Sequence, residues 1–232
     1  MPLILVWLLV QVQYHVPTAI LVGACLCVSV LLHEIGHVWA ARSLGLRSDE
    51  ILLWPLGGLA AVESTSIPKV DFLVAAAGPL VNLVICTITL PVIALYGSTW
   101  PGILNPTAGI PVDPVVLADR GFRAAEVCEV IFAINWVLLL ANLLPALPLD
   151  GGRMLRAVLA GRHSPSAAQE WAFRVAVGAG VIVSLVAMLF LKSTMLMGLG
   201  TFILLGAIFE SMQMKLGERQ DDSYMGYDFS QG

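Results

Sequence analysis

Five long stretches of this chain contain no Asp, Glu, Lys or Arg: residues 1–33, 72–112, 130–149, 175–191 and 193–209. A helix crosses the hydrocarbon core of a bilayer with about 17–25 apolar residues, because there every backbone polar group must be satisfied within the segment. Repeated blocks of this length exclude an ordinary water-soluble domain and point to a multi-span membrane protein. Composition agrees. The 232 residues are 58% apolar and 12% charged, against about 25% charged in soluble domains, and mean hydropathy is +0.88.

The clearest span is predicted over residues 18–41, ending at Arg42. Before it, residues 2–13 are apolar but short, and fit a truncated span, an interfacial helix or a tucked-in hairpin. A secretory leader fits poorly, since the stretch lacks a basic start and an Ala-x-Ala-type site before a polar domain. Residues 51–62 (ILLWPLGGLAAV) are too short, and too broken by Pro55, Gly57 and Gly58, to span as helix. They read as an extended, re-entrant or surface-lying segment. Further helices are predicted over residues 72–96 (with Pro91 as a bend), 125–144, 170–191 and 194–214. A Pro- and Gly-rich loop covers residues 97–119, and a basic polar stretch covers 153–169. The expected fold class is therefore all-α integral membrane, with five to six transmembrane helices and a small β or re-entrant element near the cytoplasmic face. One membrane domain would occupy residues 1–214, followed by a disordered polar tail at 215–232.

Orientation follows from Lys and Arg. If the C-terminal end of the span at 18–41 faces the cytoplasm, nine basic residues do so (Arg42, Arg47, Lys69, Arg153, Arg156, Arg162, Arg174, Lys215 and Arg219) and three do not (Arg120, Arg123 and Lys192). That satisfies the positive-inside rule for a cell membrane. It also places segment 46–68 and the turn at Asp150 on the cytoplasmic side. The net charge of −4 reflects the acidic tail and gives no sign of a nucleic-acid partner. Cys25, Cys27, Cys86 and Cys128 form no CxxC pair and suit small buried hydrophobes.

Within the span at 18–41 stands His33-Glu34-Ile35-Gly36-His37, an HExxH pattern. Imidazoles at i and i+4 leave one helix face and can share a Zn²⁺, while the adjacent Glu34 can take a proton from its water. His33 precedes Arg42 by about 13 Å along the helix axis, inside the membrane but toward the cytoplasmic end. Bare HExxH occurs by chance in soluble helices. In an otherwise uncharged span, however, the carboxylate alone costs on the order of 2.5–3.5 kcal/mol, and a metal is what offsets it. A proton relay in a transporter is the competing reading.

A catalytic zinc usually has three protein ligands, so two histidines leave one missing. Asp150 is a candidate, in Asn142-Leu-Leu-Pro145-Ala-Leu-Pro148-Leu-Asp150-Gly151-Gly152. Pro145 and Pro148 break the helix, and the two glycines are expected to let the backbone turn sharply. A polar helix-ending turn explains the same prolines and glycines, so from the residues alone both readings of Asp150 stand. HEIGH followed by NLLPALPLDGG resembles the site-2 protease family of intramembrane metalloproteases, peptidase family M50. Ala77-Gly78-Pro79-Leu-Val-Asn82 and Pro55-Leu-Gly57-Gly58 extend the resemblance, which covers roughly residues 31–156. It implies that His33, His37 and Asp150 bind Zn²⁺, that Glu34 is the catalytic base, and that Asn142 contacts substrate or the oxyanion. Neither a PDZ nor a CBS domain, both found in such proteins, is expected.

The substrate expected is a transmembrane protein within the lipid bilayer. It must be unwound, because a helical peptide bond shields its carbonyl. Segment 51–62, with Gly57 and Gly58, could offer a strand edge to an extended substrate; a surface loop held by Trp54 is the alternative. Asn82 fits a cap or an interhelical hydrogen bond as well as a catalytic role. His15 and His163 lie away from both motifs. A metal- or proton-coupled transporter would need acidic groups along a path across the bilayer, whereas here the polar groups converge at one depth. A silent relative that binds membrane proteins without cutting would have no use for Glu34.

Overall fold

The computed structural model describes residues 16–46, 51–54, 57–60, 67–96, 104–105, 124–191 and 194–225. The predicted segment 2–13, His15, Arg47, Pro55, most of the loop at 97–119, Arg120, Arg123, Lys192 and the end of the tail lie outside the described residues. Helix α1 (Val16–Ser43) ends where Gly45 adopts φ +79°. The N–H of Leu46 returns to the Ala41 carbonyl at 3.0 Å and that of Gly45 to the Arg42 carbonyl at 3.1 Å. This paired closure needs a left-handed residue, which glycine supplies without a Cβ clash. Strands β1 (Ile51–Trp54) and β2 (Gly57–Ala60) pair antiparallel, with Ile51 opposite Ala60 and Trp54 opposite Gly57.

Helix α2 (Pro68–Tyr96) runs through both Pro79 and Pro91, and α3 covers Ala124–Asn142. Then comes a short amphipathic helix, α4 (Asp150–Ala160), where sequence predicts only the start of a polar stretch. Its polar arginines and its length hide it from any search for span-length apolar runs, although Met154, Leu155, Val158 and Leu159 give it an apolar side. Helix α5 (Pro165–Val186) closes in a π-helical turn, Ala187–Leu191. It begins earlier than hydropathy predicts because Ser164 caps it, accepting from the Ala167 N–H at 3.4 Å, with Pro165 in the first turn. Helix α6 (Thr194–Met225) continues past Lys215, where the polar tail is predicted to begin. Lys, Glu, Arg and Gln there keep good helix propensity after hydrophobicity has ended.

Among the described residues, four helices are long and apolar enough to cross a membrane: Ile20–Ser43, Pro68–Tyr96, Ala124–Asn142 and Pro165–Leu191. Leu196–Met212 is a shorter apolar helix. Large apolar side chains point outward along them, with Trp39 72%, Leu95 74% and Phe190 78% exposed, as lipid-facing helices require and a water-soluble surface would not tolerate. Helix α2 sits centrally, packed on α1, α3 and α4, while α5 packs on α4 and α6. One core cluster decides the position of the turn that precedes Asp150. Ala146, Leu147 and Leu149 are buried against Ala172 and Ala176 of α5 and Ile203 and Ala207 of α6. Pro148 lies so close to Gly206 that a Cβ there would meet the proline ring.

Candidate metal centre

One helical turn separates positions 33 and 37, so both imidazoles leave α1 on the face that meets α2. There His37 Nδ1 lies 2.7 Å from the Val74 carbonyl. A carbonyl only accepts, so Nδ1 carries the proton and Nε2 keeps its lone pair. His33 Nδ1 lies 2.6 Å from Asn82 Oδ1. The two Nε2 atoms are 3.1 Å apart.

Asp150 approaches from the opposite side, as the first residue of α4. Its Oδ2 is 3.0 Å from His33 Nε2 and 3.4 Å from His37 Nε2. Bonds of about 2.0–2.1 Å in a tetrahedral arrangement separate ligand atoms by about 3.3–3.4 Å. The three donors, 3.0–3.4 Å apart, therefore converge close to the spacing a zinc-sized cation needs, and among the described residues they form the group that could hold a metal. All three are buried, with 4%, 2% and 7% of their surface exposed. The other carboxylate oxygen, Oδ1, faces Arg153 Nη1 at 3.7 Å.

Glycines let the backbones close in. A Cβ at Gly78 would strike His37 Nε2 and lie 2.7 Å from His33 Cε1. Gly151 and Gly152 do not form the sharp turn predicted for them; both lie inside the first turn of α4. Glycine is needed there for close approach, because a Cβ would run into the Leu143 and Leu144 carbonyls or the backbone of Ala146 and Leu147.

Of the remaining predicted residues, Glu34 is buried beside His33 on α1, at 8% exposure. Asn142 is equally buried at the last position of α3. Gly57 and Gly58 stand in β2, paired with Trp54 and Leu53. His163 is exposed between α4 and α5. Among the buried polar residues that sequence reasoning did not single out are Ser29 and Asn135. Each had a local signal. Ser29 stands one turn before His33 on the same helix face, and Asn135 is an amide inside a charge-free run.

A model of peptidase family M50 matches residues 21–122 and 109–185. A zinc metalloprotease of Methanocaldococcus jannaschii is 33% identical over 139 residues, 60% of this chain and 34% of that protein. Stage IV sporulation protein FB of Bacillus subtilis is 31% identical over 133 residues, 56% of this chain and 38% of that protein. The chain spans about a third of the length of the curated relatives it matches. The solved structure of the site-2 protease from Methanocaldococcus jannaschii resembles this fold with a TM-score of 0.60 and 26% identity, covering 90% of this chain and 84% of that one.

Proposed function

The chain belongs to peptidase family M50, and from that premise we propose that it is an intramembrane zinc metalloendopeptidase acting on transmembrane protein substrates. The observation that carries the reading is the convergence of His33 Nε2, His37 Nε2 and Asp150 Oδ2 within 3.0–3.4 Å of one another. Two imidazoles and one carboxylate are the donor set of catalytic zinc sites, which keep a position open, rather than of closed four-ligand structural ones. These three residues would hold the ion, which when bound polarises a carbonyl and lowers the pKa of water toward 7.

The rest is done by the chain's own groups. Glu34 accepts the proton of the attacking water and returns it to the leaving amine. Asn142 donates its side-chain N–H to the developing oxyanion. A substrate peptide unwound from helix adds as a strand to the β1–β2 pair, where Gly57 and Gly58 leave room for its backbone. The predominance of basic residues at one set of helix ends supports a site toward the cytoplasmic side of a cell membrane, within five to six spans.

The test uses the purified full chain in detergent with a membrane-peptide substrate, comparing wild type with Glu34→Gln and measuring zinc in both. Glu34→Gln should keep its zinc and lose about 10²–10⁴-fold in cleavage rate. Equal cutting by the two would discard Glu34 as the base, and a wild type without zinc would discard the metalloenzyme.

A further inference from the structure

Ser29, Asn82 and Asn135 belong to neither the three-ligand cluster nor the catalytic pair assigned above, yet they are 4%, 0% and 0% exposed. They come from α1, α2 and α3, and their hydrogen bonds form one line. Asn82 Oδ1 is 2.6 Å from His33 Nδ1. Asn82 Nδ2 donates to Asn135 Oδ1 at 3.0 Å. Asn135 Nδ2 donates to Ser29 Oγ at 2.9 Å and to the Ile131 carbonyl at 2.8 Å.

The direction of this line is set by its far end. The two ends of an amide are alike in shape and differ in hydrogen-bond sense. The Ile131 carbonyl accepts only, so the nitrogen end of Asn135 must face it. The oxygen end of Asn135 then faces Asn82 and must meet a donor, which turns the nitrogen of Asn82 toward it. Asn82 Oδ1 is left against His33 and obliges Nδ1 to carry the ring proton. In the neutral ring, the form that can bind a cation, Nε2 then keeps its lone pair, on the side where His37 Nε2 and Asp150 Oδ2 converge. With Asn82 reversed, its NH₂ would face Nδ1, draw on the lone pair there and send the ring proton to Nε2, blocking the ligand atom.

We propose that Ser29, Asn135 and Asn82 form a positioning relay, anchored on the Ile131 carbonyl, that holds His33 in the tautomer able to bind metal. The inference rests on the metal reading given above and adds to it three residues that never touch the ion. Partners of metal-bound imidazoles act in this way, fixing the tautomer and ring orientation.

The experiment measures zinc affinity of the purified full chain, by competition with a chromophoric chelator, for wild type, Asn135→Leu, Asn82→Asp and the double variant. In the wild-type background, Asn135→Leu frees Asn82 to reverse, and affinity should fall about tenfold or more. In the Asn82→Asp background either end of the side chain is an acceptor, so no wrong end exists and the same substitution should cost little. The difference between the two backgrounds isolates the relay from packing. An equal loss in both, or no loss in either, overturns the relay while zinc binding by wild type leaves the metal reading standing. Failure of wild type to bind zinc overturns both. Should Asn135→Leu not fold, Asn82→Leu and Asn82→Asp decide the matter. The apolar variant should lose about 10–100-fold in zinc affinity relative to the acidic one, and equal affinities would sink the proposal.

Discussion

The histidine side and the aspartate side of the metal centre are held by different physics. His33 and His37 stand on an unbroken helix, and each ring is pinned through Nδ1 by a partner on α2, Asn82 or the Val74 carbonyl. Asp150 has no comparable pin. Among the described residues its second oxygen meets the partly exposed Arg153 at 3.7 Å, and its place comes from the preceding turn, buried against α5 and α6. One side is oriented by directional hydrogen bonds and the other positioned by undirected packing. The first fixes which ring atom faces the cluster; the second fixes where the carboxylate arrives.

The largest expected effect removes a ligand from either side. His37→Ala and Asp150→Ala should each lose stoichiometric zinc, measured by elemental analysis of purified protein. Zinc retained by Asp150→Ala would break the symmetry between the two sides and leave the centre to the histidines. Next comes steric intrusion on the histidine side. Gly78→Ala puts a methyl onto both rings, an overpacking of about 1–3 kcal/mol, or about 5–150-fold in zinc affinity at 1.4 kcal/mol per tenfold. The matching intrusion on the aspartate side, Gly206→Leu against Pro148, should appear mainly as a lower thermal midpoint with a smaller change in zinc affinity, because a packed turn can yield where a ligand ring cannot. A larger zinc loss for Gly206→Leu than for Gly78→Ala would invert the comparison. The smallest effect belongs to Arg153→Leu. A long, solvent-touched ion pair contributes about 0–1 kcal/mol, so zinc affinity should change less than about fivefold, and less still at high salt.

What could be read from the residues alone follows the same division. HExxH is local, since positions 33 and 37 share a helix face whatever surrounds them. Asp150 required help, because nothing between residues 38 and 149 says which turn will lie over that face. The relay was out of reach. Ser29, Asn82 and Asn135 are far apart in sequence, and their meeting depends on how three helices are rotated about their axes. Helix α4 is invisible to apolar length, since its eleven residues are too few and too charged. The Ser164–Pro165 start of α5, by contrast, is written in the capping residues, to which hydropathy is blind. For Gly151 and Gly152 the residue type does not reveal its reason, since crowding by a neighbouring backbone and freedom to turn leave the same letter in the sequence.

The split of the ligands between α1 and the start of α4 has a consequence for biosynthesis. A ribosome delivers both imidazoles to the membrane early, and the carboxylate only after α2 and α3 have followed. A nascent chain stopped anywhere before residue 150 possesses an incomplete set of donors. The proposed peptidase is therefore inert while it is being threaded, and gains its destructive capacity only once four helices have assembled around one another.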